Sequence, residues 1–526
     1  MGDVFEYDKD DDGTNESIAF ISGRTSAQVY TVRSLTGSVP QQTTATDTDW
    51  YIYRAYTGLN DAIDGIENTG CVLFGGSIPD LNAGGGYDLV TNNMQWNIAC
   101  YADDIDTDDV TGSGWETGVD NYIKVFTPYL QSHVGVSQRH NSTLSKTTGY
   151  ILAIGSNDHS YNVSEDYMRI EGIQIDCTDT SSAGFEIRGA GAGTTGGEIY
   201  ISHCVIKGNT EGWASGIYIN NENFDSVHLF NNIIYDFTNA TGNGIRVSSV
   251  AHPGYIYNNT IFNCGAGIDN DNVSLLYNNI VQECTDGYSG TFDSASDFNI
   301  SDIDTDAPNA TFSTSAITVA FEDETNDDFH LSRSDTSAID QGTSLPLTDS
   351  YISFVDDVDG TARGAAWDIG ADEVPVDFVS VLSESGGDYT SLSAWEDAVE
   401  SDIAADTTRV FSGTLSGSFS EDDSVSIYSA PLGLTATGTV VATTGDGQLL
   451  VDTIDSATPL IVASGDVWLL DGSNYFTVSG SGDDLGASAR AVCMIDGVWT
   501  SEDATACDIQ GWSTDQDNEI EIYTTV

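Results

Sequence analysis

The chain has 526 residues, too many for one ordinary domain, and its 82 Asp+Glu against 15 Lys+Arg give a formal charge of −67. A surface this negative repels phosphate backbones and excludes direct nucleic-acid binding; it suits a solvated, aggregation-resistant protein in a salty medium. No run of about 18 apolar residues is present to span a membrane.

Residues 1–50 read as a small antiparallel β module. Asp3 to Tyr7, Ser17 to Ile21 and Ala27 to Val32 alternate apolar with polar, as half-buried strands do. Between the first two, Asp8, Asp10, Asp12 and Gly13 match the first half of a calcium-binding loop, in which alternate carboxylates converge on one hard cation. Ala19 stands at the twelfth position, where that loop needs a bidentate glutamate, so an acidic hairpin turn is the competing reading. Met1 to Asp8 shows neither a basic region nor an apolar core, so no secretory leader is read there.

Residues 51–120 are read as a capping region. Tyr56-Thr57-Gly58-Leu59-Asn60-Asp61-Ala62-Ile63 is a short amphipathic segment suited to start a helix over the end of a repeat stack, and Gly114-Trp115-Glu116-Thr117 precedes the alternating strand Asn121 to Thr127.

From Tyr167 to Asp302 the chain repeats. Phe230-Asn231-Asn232-Ile233, Tyr257-Asn258-Asn259-Thr260-Ile261 and Tyr277-Asn278-Asn279-Ile280 are followed by Phe298-Asn299-Ile300 and preceded by relatives around Gly172 and His203. Aligning Gly172, His203, Asn232, Asn259, Asn279 and Asn299 gives spacings of 31, 29, 27, 20 and 20 residues. Between the copies run Gly184-Phe185-Glu186-Ile187, Gly216-Ile217-Tyr218-Ile219, Gly244-Ile245-Arg246-Val247 and Gly267-Ile268-Asp269-Asn270, each opening on glycine and then alternating. Several strands per repeat with no helical period between them predict stacked parallel coils, each burying its apolar face against its neighbours. Stacked side-chain amides can hydrogen-bond from coil to coil, so the sequons at Asn258, Asn272 and Asn299 are read as structural. Five residues after the aligned positions, Cys177, Gly208, Phe237, Cys264 and Cys284 form a second expected column. Adjacent coils set Cys264 and Cys284 a disulfide-permitting distance apart, with stacked buried thiols the preferred reading.

Further on come Asp357-Val358-Asp359-Gly360-Thr361-Ala362-Arg363 and Trp367-Asp368-Ile369-Gly370-Ala371-Asp372-Glu373. This series resembles the closing coils of bacterial and phage right-handed parallel β-helix repeat proteins, in which D-G-x-x-R followed by D-I-G-A-x-E ends the helix. The resemblance covers about residues 100 to 375. It implies an all-β fold, a right-handed parallel β-helix (solenoid) over 121–375 flanked by small antiparallel β modules; it implies no single activity, since such proteins include lyases, adhesins and virion spikes.

Residues 376–526 are read as a β region that repeats the opening. Asp388 to Glu396 echoes Tyr56 to Ala62, Gly465 to Gly472 echoes Gly2 to Asp8, and Gly511-Trp512 with Asn518 to Thr524 matches Gly114-Trp115 with Asn121 to Thr127. The chain stops where a second coil would start, which leads to the expectation of more sequence or of docking onto another subunit.

No catalytic constellation stands out. Arg169, Arg188, Lys207 and Arg246 come from different coil positions, His203 is read as packed inside and His140 as exposed in a loop. The sequence thus points to a non-catalytic structural or binding protein on an outer surface, most concretely a phage or virus virion component (fibre, spike or capsid decoration). The alternatives are a secreted bacterial adhesin or surface-layer protein, or a polysaccharide lyase or glycoside hydrolase. Candidate site residues are Asp8, Asp10 and Asp12 for calcium and Trp213, Tyr218 and Tyr288 for glycans. Expected partners are copies of the chain itself, other virion proteins and host-surface glycans; the expected location is the virion surface or the extracellular space.

Overall fold

The computed structural model describes residues 3–34, 37–43, 49–71, 73, 87–129, 134, 136–154, 159–177, 183–188, 197–210, 214–220, 224–248, 254–308, 312–345, 354, 356–364, 366–401, 403, 407–429, 433–445, 447–455, 467–471, 474–478, 488–514 and 518–525. The protein is mostly β, with extensive parallel sheets, and divides into two compact units, residues 1–330 and 331–526.

The first unit opens with an antiparallel sheet of the three strands expected from the sequence, Val29–Arg33, Ser17–Ser26 and Val4–Tyr7, joined on the far edge of Val4–Tyr7 by Trp50–Tyr53 from the stretch read as the capping region. After it the chain visits three parallel sheets in rotation. The first sheet runs from Trp96–Ala99 and Ile123–Phe126 through Met168–Glu171, Glu198–Ser202, Ser226–Phe230 and Gly254–Tyr257. The second runs from Ile151–Leu152 to Ile300–Ser301, and the third from Val110–Gly112 to Asp286–Phe292. The long strand Ala266–Tyr277 serves the third sheet with its first half and the first sheet with its second. Every pairing along these sheets is parallel, because each repeat lays its strands on the equivalent strands of the one before. Residues 331–375, which the sequence assigned to the same coil, lie in the second compact unit.

Alternation decides what is inside. Ile170, Ile201, Leu229, Ile256 and Leu276 of the first sheet meet Ile175, Ile206, Ile234, Ile261 and Val281 of the second and Phe185, Ile217, Ile245 and Ile268 of the third in one continuous core. A glycine ladder brings the third sheet close to the second. A Cβ on Gly184, Gly216, Gly244 or Gly267 would stand 2.5 to 2.8 Å from the carbonyl oxygen of the next glycine in the column, so no larger residue fits.

The corner between the first and second sheets needs a left-handed residue in every coil. Gly172 (φ 74°), His203 (54°), Asn231 (52°), Asn258 (48°), Asn278 (55°) and Phe298 (56°) supply it, and asparagine is the non-glycine residue that takes this conformation most readily. The second asparagine of each pair then points inward. The Asn232 backbone N–H and side-chain amide both donate to Asn259 Oδ1 (3.1 and 2.9 Å), Asn259 repeats this to Asn279 (3.1 and 3.0 Å), and Asn279 to Asn299 (3.1 and 2.9 Å). Each amide also donates to a strand carbonyl, Asn259 to Leu229 at 2.9 Å and Asn279 to Ile256 at 2.8 Å. The sequence alignment was one residue out at its start. Gly172 and His203 share the left-handed column with Asn231, while Ile173 and Cys204 hold the place that Asn232 fills. The same slip moves Cys177 and Gly208 one place from the column of Phe237, Cys264 and Cys284. In that column the Cys264 N–H donates to Cys284 Sγ at 3.4 Å, so the two thiols stack as expected.

The outward face of the second sheet is covered. Phe321 meets Phe262 edge-on and Phe329 lies tilted against it, Phe329 also meets Tyr235 at 4.9 Å between ring centroids, and the Gln282 amide exchanges hydrogen bonds with the Val319 backbone at 2.7 and 3.2 Å.

The second unit contains a closed antiparallel barrel of six strands, Arg409–Ser416, Gln448–Asp455, Gly433–Thr443, Ser424–Ser429, Val467–Asp471 and Asn474–Val478. It also holds a parallel sheet ordered Val376–Leu382, Ala489–Ile495, Ile520–Thr524. The echo read in the sequence has a structural counterpart: Leu59–Asp64 and Leu392–Val399 are both helices.

Asn259→Ala leaves the buried Asn232 N–H and the Leu229 carbonyl without their partner. It is expected to lower stability by about 2–4 kcal/mol, read as a fall in the urea midpoint at unchanged slope. A loss below about 1 kcal/mol would show that the ladder is not what holds the corners.

Candidate functional site

The residues that alternate with the core on the third sheet point outward and form one row. The pairing register places Asn162, Glu186, Tyr218, Arg246, Asp269 and Ser289 in a single column, one per coil. Glu186 is enclosed by its neighbours: His159 Nε2 lies 2.7 Å and Arg188 Nε 2.5 Å from Oε2, and the Asn220 amide donates to Oε1 at 3.1 Å. His159 Nδ1 accepts from the Ala183 N–H at 3.2 Å, so the ring proton sits on Nε2 and faces the carboxylate. Burial pushes the Glu186 carboxyl up, but His159, Asn220 and Arg188 outweigh it and hold it below the usual range. Tyr218 is half-exposed, accepts from Ser248 Oγ at 3.3 Å and lies under the Arg246 guanidinium, 5.5 Å from its ring centroid. Arg246 Nε is 3.8 Å from Asp269 Oδ2. Burial, with Asp271 and Asp286 nearby, raises the Asp269 carboxyl despite Arg246.

Such a row offers one aromatic face with cations and carboxylates beside it, the composition of a polar ligand platform. It does not offer paired catalytic acids. Glu186 and Asp269 stand three coils apart, about 14 Å at the usual strand spacing, whereas glycoside hydrolysis needs two carboxyls about 5–9.5 Å apart.

The sequence-derived site residues fare differently. Tyr218 belongs to this row. Tyr288 does not: it takes the inward place of Ile268 in the next coil, is 6% exposed, and its hydroxyl lies 3.1 and 3.2 Å from the Asn279 and Ile300 carbonyls. A side chain so enclosed presents nothing to a glycan, which corrects that assignment. Trp213 lies outside the described residues. Arg246 and Glu186 are legible as the polar middles of glycine-led strands; Arg169 and Lys207 lie on the other two sheets and Arg188 beyond its strand, so the basic residues form no row of their own, as the sequence suggests. Trp50, Tyr51 and Ile52, exposed by 50%, 58% and 46%, are aromatic and aliphatic surface in the opening sheet that the sequence did not single out.

Asp8, Asp10 and Asp12 do come together in the loop after Val4–Tyr7, joined by Glu16, with oxygens within 4.8 Å of one another. Their chemistry fits a hard cation in part. Asp8 Oδ1 already accepts the Asp10 and Asp11 N–H groups at 3.0 and 2.7 Å, and Oδ2 those of Gly13 and Thr14 at 2.6 and 3.2 Å. Asp8 therefore closes the turn, and Asp10, Asp12 and Glu16 are the exposed carboxylates, of which Glu16 Oε1 pairs with Lys9 Nζ at 2.5 Å and Asp12 Oδ1 accepts the Thr14 N–H at 3.0 Å.

Two further polar clusters are structural. At the corner by Gly172, the buried Arg139 guanidinium pairs with Glu171 and stacks on Tyr129, with Lys124 Nζ 2.7 Å from Glu171 Oε2. His140, expected in solvent, is buried: Nδ1 accepts the Ser142 N–H at 3.1 Å and Nε2 donates to the His203 carbonyl at 2.7 Å. Its neighbour Arg139 drew the loop to Glu171, a long-range pairing that loop composition does not reveal.

The closing motif is the other. Arg363 is fully buried and donates to Glu373 Oε2 at 3.1 Å and to the Gly370 and Ala371 carbonyls at 3.0 Å each. Glu373 accepts the Gly364 and Asp368 N–H groups at 3.0 and 2.8 Å. Asp357 gathers the Asp359, Gly360 and Thr361 N–H groups, and Asp368 those of Asp340 and Val374. Asp357, Arg363, Asp368 and Glu373 each hold a loop.

Comparison with family models, with curated proteins and with solved structures finds no match to this chain.

Arg363→Met strands the buried Glu373 carboxylate and is expected to cost about 3–5 kcal/mol. Hydrogen exchange should show the loss as faster exchange at Gly364 and Asp368. Unchanged protection there would remove the motif from the stabilising contacts.

Proposed function

We propose that the three rotating sheets form a right-handed parallel β-helix, and that the protein is a non-catalytic structural and binding component of an outer surface, most concretely a phage or virus virion. The observation that supports this reading best is the uninterrupted asparagine ladder through consecutive coils. A column with every amide satisfied in the same way from coil to coil resists bending and local opening, which suits a stiff support better than a catalytic cleft. The outward row on the third sheet then acts as the contact surface for host glycans, with Tyr218 as stacking face and Arg246 as hydrogen-bonding group, while Glu186, buried beneath His159, Arg188 and Asn220, holds the row together. The charge of −67 keeps the surface solvated and turns away polyanions. Among the described residues no helix is long and apolar enough to cross a membrane.

The reading is tested on immobilised host envelopes and neutral oligosaccharide arrays. Wild-type protein is retained, and Tyr218→Ala weakens binding about tenfold, in line with about 1–1.5 kcal/mol for one aromatic contact. Absence of affinity for any host surface, together with absence of the protein from purified virions, would sink the proposal. Release of reducing sugar or unsaturated uronate from such polysaccharides would move the protein into the enzyme class instead.

Calcium is proposed at Asp10, Asp12 and Glu16, with Asp8 shaping the loop. Calorimetric titration should show saturable heat that Asp10→Asn with Asp12→Asn abolishes. Heat that persists in the double variant would place the ion elsewhere.

A further inference from the structure

One corner between the third sheet and the first is built on two consecutive acids. Ser164 to Tyr167 carry the chain from Tyr161–Val163 into Met168–Glu171, and Tyr167 takes a left-handed conformation (φ 51°) to complete the bend. Within it Glu165 is 5% and Asp166 6% exposed. Glu165 Oε2 accepts the Trp115 N–H at 2.7 Å, beside the Trp96–Trp115 stack, and Thr117 Oγ1 donates to the Asp166 carbonyl at 2.9 Å. The Asp166 side chain lies on Gly197 of the following coil. A Cβ on that glycine (φ 146°) would stand 2.6 Å from Asp166 Cβ and 2.8 Å from its Cγ, so the carboxyl occupies the space that a side chain would need. The Gly197 carbonyl in turn accepts the Asp225 N–H at 2.9 Å. The two acids thus join the capping strand Trp115–Glu116 to the next coils.

No positive charge balances the pair. Among the described residues, no lysine or arginine pairs with Glu165 or Asp166. The charged side chains of the segments packed on the corner are acids as well: Glu116 beside Trp115, Glu198 beside Gly197, and Asp225. Arg169, the nearest cation along the chain, lies over the Tyr122 ring at 3.6 Å from its centroid, and Lys124 is engaged by Glu171 at 2.7 Å. Asp166 Oδ1 is buried and has no hydrogen-bond partner among the described residues. Ionised, it would sit without donor or cation, a costly state in a dry site. Burial, with Asp166 beside it, pushes the Glu165 carboxyl up to about 7 against the N–H groups of Trp115, Asp166 and Gly114. Burial and Asp225 push the Asp166 carboxyl up to about 6.

We propose that Glu165 and Asp166 form a proton-operated latch: the corner closes on neutral carboxyls in mildly acidic medium and opens locally in alkaline medium, loosening the coil from the capping strand. Both groups hold protons more tightly in the folded than in the unfolded chain. Their stabilising contribution is therefore complete below the ordinary carboxylate range and is lost as pH rises through about 6 and about 7. Glu171, at the other end of Met168–Glu171, is the contrasting case. Despite its burial, Lys124 and Arg139 hold its carboxyl far below the usual range, so that bend stays ionised and fixed. Cations secure one end of the strand and protons the other. The latch stands apart from whatever the third sheet binds.

The test measures local opening in the full chain by hydrogen exchange, corrected for the intrinsic rate, from about pH 5 to about pH 8.5. The opening constants of the segments holding the Trp115 and Asp225 N–H groups are expected to rise at least about tenfold across this range, with the change centred between about pH 6 and 7. Asp166→Asn should leave only the rise near pH 7, and Glu165→Gln with Asp166→Asn should flatten the profile at the protection seen in acid. Near-ultraviolet circular dichroism checks the fold of each variant, and the wild-type profile decides by itself if the double variant does not fold. A wild-type profile that is flat, or a rise that persists in the folded double variant, overturns the proposal. Protection regained in alkaline medium on adding calcium to the wild type, but not to Asp166→Asn, overturns it in favour of a cation site.

Discussion

The structure depends on satisfying the backbone at one recurring corner. Each passage from the first sheet to the second reverses direction within two residues, which requires a left-handed residue and leaves strand carbonyls and N–H groups inside the core. Asn231, Asn258 and Asn278 accept the strained conformation, and Asn232, Asn259, Asn279 and Asn299 answer the buried polar groups. An apolar residue at those inward places would fill the volume and leave the main chain unpaired. The glycine ladder is the complementary constraint on the opposite side, where backbone and not side chain must fill the corner.

Much of this was legible because a repeat multiplies weak signals. One Gly-Ile-x-Ile segment says little, but four of them at matching offsets gave the third sheet and, in their polar middles, the row that holds Tyr218. What the sequence hid was register. In an Asn-Asn pair the two residues carry opposite duties, one conformational and one hydrogen-bonding, and composition cannot say which is which. The early coils, with Gly172-Ile173 and His203-Cys204 in place of the pair, were therefore aligned to the wrong member. Tyr288 was hidden for a related reason: a tyrosine after Asp286-Gly287 looks like surface, yet it occupies the inward column of Ile268 and finds carbonyls for its hydroxyl. The closing motif shows the reverse case, recognisable as a pattern although its reason, one arginine gathering several carbonyls, appears only in three dimensions.

The same scarcity that shapes the surface shapes the interior. Of the 15 lysines and arginines in the chain, several that are buried or half-buried serve a fixed carboxylate: Arg139 with Glu171, Arg363 with Glu373, Arg490 with Asp377, Arg54 with Asp3 and Asp103. A buried guanidinium held by several acceptors is far costlier to remove than an exposed ion pair, so these few cations fix loops, while most of the described acids are exposed or half-buried.

That division gives the uneven places their meaning. On the third sheet Glu186 has Arg188, His159 and the Asn220 amide about it, and Arg246 has Asp269, so each carboxylate of the row has an arginine beside it. Beside Ile520–Thr524, Arg490 pairs with Asp377, Glu519 and Glu521, and Arg333 Nη1 lies 3.5 Å from Asp377 Oδ1, so the arginines of the second unit likewise hold its strands through carboxylates.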